Sequence, residues 1–364
     1  MSPNDLSRRD FVKTGVGAAL GAATVPFGLG TAWALSTEPK PVVSIARVGD
    51  HSIDYAVEQA IDFLGGIGTA TQGKERIMLK PNLVAEGRAF TTKPEVIEAL
   101  ARLMKGAGKD VLIGEGSAAA DGFNHKDGES YRTTNPEILD GMQRYVFDQL
   151  GYTELARRLD VPLVNLHTGE MADVPLPDGF AYKSLTLHHS LTEIDLLCSV
   201  PMMKTHGLAT VTLGLKNVIG LYPGAAYCSV RACVHDQAAQ AGSPGVAFEI
   251  IDMARVNRMG LCVVDATTAM EGDGPTGGDL VDMGLIVAGT DPLATDMVAA
   301  HLMGIETQDV PTFTWAHKAG MTPTTLDEIE IRGEPVSSVR RAFKKPNVVP
   351  WTAINKIWGV KEML

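Results

Sequence analysis

Between residues 42 and 303 short apolar runs alternate with amphipathic helical windows, and this alternation leaves little choice of architecture. Strands are expected over 42–48, 77–79, 111–113, 163–166, 195–200, 261–264 and 285–288, with helices over 53–64, 94–105, 136–150, 152–158, 245–256 and 292–303. Ile53, Val57, Ala60, Ile61 and Leu64 fall on one side of the first helix, the spacing of a face that packs on a sheet. Pro94 and Pro292 suit a first helical turn, and Asp291 an N-cap. Strand–helix–strand order with short loops predicts an α/β fold, a mainly parallel sheet with helices on both faces, built as one large domain or two closely joined lobes.

Four of the apolar runs end abruptly in polar clusters. Leu79 leads into Lys80-Pro81-Asn82, Ile113 into Gly114-Glu115-Gly116-Ser117, Val200 into a stretch holding Lys204, Thr205 and His206, and Val264 into Asp265 and then Glu271-Gly272-Asp273. Open parallel sheets bind ligands beyond the carboxyl ends of their strands, so parallel strands would gather all four clusters on one edge. Lys80, Lys204 and Lys216 are point charges suited to a carboxylate or phosphate. Glu115, Asp265, Glu271 and Asp273 offer oxygens for a divalent ion or for acid–base work, and His206 and His235 could ligate a metal or move a proton. Asn82 and Asn217 can orient a ligand by hydrogen bonds. The competing reading is that these charges only pair with one another at the strand ends. His51, His125, His167, His301 and His317 have no evident partners and are read as surface or packing residues; of adjacent His188 and His189 at most one faces any site. Gly272 to Gly277 spells G-x-G-x-x-G, but a strand rather than a helix follows it, so no nucleotide site is expected there. The segment 114–135 is a long polar loop that could cover a site.

The ends of the chain carry their own signals. Ser7-Arg8-Arg9-Asp10-Phe11-Val12-Lys13, a Gly- and Ala-rich apolar stretch and Ala32-Trp33-Ala34 follow the order of a twin-arginine export signal. Cleavage near Ala34 would leave a soluble periplasmic or otherwise exported protein, with the translocation machinery as a partner. Residues 1–34 hold three basic and two acidic side chains, so the remainder has 29 Lys/Arg against 41 Asp/Glu and a formal charge of −12. That acidity argues against nucleic-acid binding. Cys198 and Cys262 lie in apolar runs and read as buried thiols; Cys228 and Cys233 could form a small disulfide or stay reduced. Without a C-x-x-C pair, a four-cysteine zinc site or an iron–sulfur cluster is not expected. The tail from 340 to 364 combines Arg340, Arg341, Lys344 and Lys345 with Val348, Val349, Trp351, Ile354, Ile357 and Trp358, a pattern that packs its apolar side on the body.

Lys80-Pro-Asn-Leu83, Gly114-Glu-Gly116, Met203-Lys-Thr-His206, Thr212 to Gly220 with Lys216-Asn217, Asp265 to Pro275 and Asp291 to Asp296 together resemble the family called domain of unknown function 362. The resemblance runs from about residue 42 to 305. Members often carry twin-arginine signals or fused ferredoxin-type iron–sulfur modules; the cysteine-rich module is missing here, which weakens an electron-transfer role. The layout is also distantly similar to lactate-racemase-type proteins, at the level of fold alone.

The function expected from these residues is an enzyme acting on a small anion by metal-assisted or acid–base chemistry. Lys80, Asn82, Glu115, Lys216 and Asn217 would bind the ligand, His206, Lys204 and Asp265 would act on it, and Glu271, Asp273 and His235 would hold a divalent metal. The alternatives are a non-catalytic ligand- or metal-binding accessory protein, or a redox partner associated with iron–sulfur systems.

Overall fold

A computed structural model describes residues 39–353 and 361–362. The twin-arginine segment and Ile354, Ile357 and Trp358 lie outside them. From Lys40 on the chain forms one compact unit rather than two lobes. Its ten-stranded sheet is built from β1 (Val42–Arg47), β2 (Arg76–Pro81), β3 (Asp110–Glu115), β4 (Leu163–Asn165), β5 (Leu196–Val200), β6 (Met202–His206), β7 (Thr210–Thr212), β8 (Met259–Glu271), β9 (Asp279–Gly289) and β10 (Glu330–Gly333). The order is β10-β1-β9-β8-β5-β2-β3-β4, with β6 also on β8 and β7 on β6. Strands β8, β5, β2, β3 and β4 run parallel to their neighbours in that series. β9 is antiparallel to both β8 and β1, because a short connection joins it to β8 and a short connection can only reverse the chain. That connection is residues 272–278, so the glycine pattern within it makes a hairpin.

Alternation along the strands sorts the core into two layers. Ile77, Leu79, Val111, Ile113, Leu196 and Cys198 pack against helices α1 (Ile53–Phe63), α2 (Pro94–Gly106), α3 (Pro136–Leu150) and α4 (Tyr152–Leu159). Met78, Leu112, Leu197 and Cys262 face the other way. They meet the layer of α5 (Gly214–Asn217), α6 (Ala232–Gln240), α7 (Ala247–Val256), α8 (Pro292–Leu302) and α9 (Pro311–Lys318). The expected α/β architecture with both faces covered is the observed one.

Three expectations need correction. β8 does not stop at Val264 but continues through Asp265 to Glu271. A buried carboxylate fits inside the strand because Lys93 N (2.9 Å), Thr267 N (3.1 Å) and Thr267 Oγ1 (2.6 Å) all donate to it. The cluster after Pro201, expected just past a strand end, is itself a strand: Lys204 and His206 pair with Thr212 and Thr210 on β7. The 114–135 segment also carries a small ladder, His125–Lys126 against Glu129–Arg132.

The short turn α5 is held from outside. Asp296 on α8 accepts from Gly214 N and Leu215 N, both at 2.7 Å, which supplies the first turn with the acceptors it lacks. Burial pushes the Asp296 carboxyl up to about 7. Asp291 caps its own helix through Ala294 N at 2.7 Å. Asp296→Ala leaves two buried N–H groups unpaired and is expected to cost roughly 2–6 kcal/mol in urea unfolding, with Asp296→Asn costing less.

Candidate functional site

The carboxyl ends of β2, β3 and β5 meet the turn α5 at a buried polar knot. Lys80 Nζ donates to Glu115 Oε1 (2.9 Å), Glu115 Oε2 (3.0 Å), Asn217 Oδ1 (3.0 Å) and Pro81 O (3.0 Å). Glu115 also accepts from Leu83 N at 2.9 Å and Gly116 N at 2.8 Å. Asn217 Nδ2 returns bonds to Lys80 O (3.0 Å) and Ser199 Oγ (3.1 Å), and Asn82 Nδ2 reaches Asn217 Oδ1 at 3.3 Å. Burial pushes the Lys80 pKa down and the Glu115 carboxylate pulls it back. Gly220 is required beside this knot: a Cβ there would lie 2.3 Å from Glu115 Oε1 and 2.7 Å from Lys80 Nζ. Lys80 and Glu115 therefore spend their bonding capacity on each other and on the backbone. They build the wall of the site rather than holding a ligand.

Above the knot is a cavity of about 130 Å³, lined by Lys80, Asn82, Glu115, Thr212, Lys216, Asn217, Arg231, His206, His235 and Trp351 among others. Seven of the eleven residues expected at the site line it: strand ends deliver Lys80, Asn82, Glu115 and His206, and helices α5 and α6 bring Lys216, Asn217 and His235. Lys216 Nζ has no side-chain or backbone partner among the described residues. Burial and the nearby Arg231 and Lys80 push it down to about 8 against the pull of Glu249. Arg231 donates to Ile219 O (2.9 Å) and Gly116 O through Nε and Nη2. Its Nη1 has no partner among the described residues, nor have Asn82 Oδ1 and Thr212 Oγ1. Unsatisfied buried polar atoms are costly, and three of them belong to residues that line this one cavity.

The two histidines differ in tautomer. His206 Nδ1 accepts from Leu208 N at 3.0 Å, so the neutral ring carries its proton on Nε2. Burial, with Lys216, Lys204 and His235 nearby, lowers its pKa well below the usual histidine value. His235 Nδ1 lies 2.9 Å from Glu249 Oε1, an acid buried on α7 and also bonded by Ser243 Oγ at 3.2 Å. Donation from Nδ1 to Glu249 leaves Nε2 of His235 as a lone-pair base. Burial lowers the His235 pKa, opposed by Glu249.

The remaining expected residues are elsewhere. Lys204 is fully buried outside the cavity lining; its Nζ donates to Phe90 O at 2.6 Å, and burial pushes its pKa down to about 7. Asp265 serves Lys93 N ahead of α2 and its own strand. The metal trio does not assemble: Glu271 Oε2 accepts from Lys344 N at 3.0 Å, Asp273 is exposed, and His235 is bonded to Glu249. No group of three or more His, Cys, Asp or Glu among the described residues could hold a metal ion. Arg231 and Glu249 were not foreseen. Arg231 stands in a turn where Cys228, Val230 and Arg231 all have positive φ (53°, 59° and 59°), between cysteines 228 and 233, which are joined in a disulfide. Glu249 had a legible signal, since it and Asp252 are acids on a helix apolar on all sides.

The family model for a domain of unknown function, DUF362, matches residues 77–301, the span that holds the knot and all but the tail of the cavity wall. The chain belongs to this family. It is also 28% identical over 303 residues to a thylakoid-associated protein of Synechocystis sp., covering 82% of this chain and 84% of that one. Among solved structures it is similar to the lactate racemase apoprotein of Thermoanaerobacterium thermosaccharolyticum, with 14% identity and a TM-score of 0.42 over 73% of this chain. A protein from Thermotoga maritima gives 16% identity and a TM-score of 0.40 over 69% of this chain. This chain spans 58% and 57% of the lengths of those two proteins.

Lys80→Met strands the Glu115 carboxylate in the interior and is expected to destabilise the protein by about 3–5 kcal/mol. The double variant Lys80→Met/Glu115→Gln should lose less than the sum of the two single variants in a double-mutant cycle of urea unfolding.

Proposed function

We propose that this chain is a proton-transfer enzyme acting on a small carboxylate-like anion. The observation that carries the reading is the pair of cavity histidines in opposite tautomers beside an unpartnered ammonium. Lys216 and the free Nη1 of Arg231 supply the positive field for the anion. His235, oriented by Glu249, takes a proton from the ligand through Nε2, and His206 supplies one from Nε2–H. The ligand loses one proton and gains one, and a proton passing from His235 back to His206 restores both rings, so the overall change is an isomerisation with no net redox step. Burial, more than the positive neighbours, keeps both rings neutral near pH 7, which lets one serve as base while the other serves as acid.

The chain is further proposed to work outside the cytoplasm. The Ser7-Arg8-Arg9 to Lys13 pattern and the Cys228–Cys233 disulfide, a bond that persists in oxidising compartments, support that location.

The test is a panel of small carboxylates incubated with the protein in deuterium oxide and followed by proton NMR. Wild type is expected to exchange a carbon-bound proton of at least one of them, with His235→Gln slower by at least about 100-fold. Saturable binding of those carboxylates with no exchange would replace this reading with the binding-protein one. A second prediction concerns pH. Lys216 must be protonated to hold the anion, so affinity should fall as pH rises past about 8. Lysine's depressed value means the unfolded chain binds more protons between about 8 and the ordinary 10.5, so stability of the ligand-free fold should rise across the same interval. Both trends are measured as the difference between wild type and Lys216→Met, by titration calorimetry and by urea unfolding.

A further inference from the structure

The side of the cavity that carries the histidines is closed by a segment belonging to neither helical layer. Phe343 is buried and donates its N–H to Met303 O at 2.9 Å. The chain then runs through residues 344–350 with mostly exposed side chains and is buried again at Trp351, 3% exposed. Between these anchors it is fastened by three backbone bonds and by exposed ion pairs of Lys344 with Asp279 and of Lys345 with Asp309. Lys344 N donates to Glu271 Oε2 at 3.0 Å, Gly272 N to Lys344 O at 3.0 Å, and Val349 N to Gly207 O at 2.9 Å. Trp351 lines the cavity with His206 and His235, its ring centroid 4.9 Å from that of His235. Its indole Nε1 donates to Asp236 Oδ1 at 2.6 Å, and Asp236 is held in turn by Arg132 at 2.8 Å.

We infer that Trp351 sets the size of ligand the cavity accepts, and that residues 344–351 are a strap which lifts to admit it. What enters the cavity rests on the anion reading above; the roof does not. Much of the opposite wall is strand ends and the turn α5, whose bonds lie inside the sheet and the knot. The strap has exposed side chains, three backbone bonds and ion pairs that lie in solvent and contribute little, the properties of a segment that opens at low cost. An indole is among the largest side chains available, so in a cavity of about 130 Å³ its removal changes the admissible ligand more than any neighbouring substitution.

The experiment compares wild type, Trp351→Phe and Trp351→Ala, each checked for folding by circular dichroism. Acetate, propionate, benzoate and phenylacetate are the ligands, with affinities from titration calorimetry. Trp351→Ala is expected to improve benzoate and phenylacetate relative to acetate by at least about tenfold, with Trp351→Phe between it and wild type. An unchanged ranking in Trp351→Ala overturns the inference. A ligand-free readout separates the roof from the anion reading: the rate at which diethyl pyrocarbonate modifies His235, followed by mass spectrometry. That rate should rise at least about tenfold in Trp351→Ala and much less in Trp351→Phe; an unchanged rate overturns the roof. Fast modification in the variant with no carboxylate bound by any form upholds the roof and removes the anion reading. Should Trp351→Ala fail to fold, amide exchange in wild type decides. Residues 344–350 are expected to exchange well ahead of 202–206, and equal protection of the two segments contradicts a lifting strap.

Discussion

A single buried ion pair, Lys80 with Glu115, organises the working edge of this protein. Two charges that leave water lose several kcal/mol of solvation each, and attraction alone does not return it unless every remaining donor and acceptor is met. Here they are met: four oxygens surround the ammonium within 3.0 Å, and two backbone amides complete the carboxylate. The bonds join β2, β3 and, through Asn217, the turn α5. Because each bond is directional, the pair fixes the positions of these elements relative to one another in a way apolar contacts do not. The turn that presents Lys216 is thus held from below by the knot and from behind by Asp296.

Once Lys80 and Glu115 neutralise each other, the charge left over in the cavity is positive. Lys216 and Arg231 have no carboxylate bonded to them, and the acid nearest the histidines, Glu249, is engaged by His235 and Ser243. Burial holds the histidines neutral, and for His206 the same positive charges that invite an anion add to it. Their tautomers follow from what each Nδ1 meets: a backbone N–H for His206 and a carboxylate for His235. The roles of acid and base are therefore assigned by the second partner of each ring, before any ligand enters.

Much of the fold was legible because it rests on period. Strands alternating with helical windows predicted the sheet and its two layers, and Pro94, Pro292 and Asp291 marked helix starts where they occur. The strand-end rule then found Lys80, Asn82, Glu115 and His206, since strands in a sheet leave the position of their ends little freedom. What could not be read was pairing. Lys80 and Lys216 look alike in sequence, yet one is saturated and the other free, because only the fold sets Glu115 beside the first. Asp265 looked catalytic for the same reason, while its buried bonds to Lys93 and Thr267 make it part of β8. Glu271, Asp273 and His235 share donor chemistry but not a place: a hairpin carries the two acids away from α6. Arg231 reaches the site through a left-handed turn at 228–231, which no periodicity announces.

Proton transfer in this cavity depends on the protonation of two imidazole rings, and nitrogen-15 NMR of histidine-labelled protein at pH 7 reads it directly. The account predicts two neutral rings, His206 protonated at Nε2 and His235 at Nδ1, assigned by loss of each signal in His206→Gln and His235→Gln and perturbed together in Lys216→Met. Two rings in the same tautomer, or either ring in the cationic form, would contradict it.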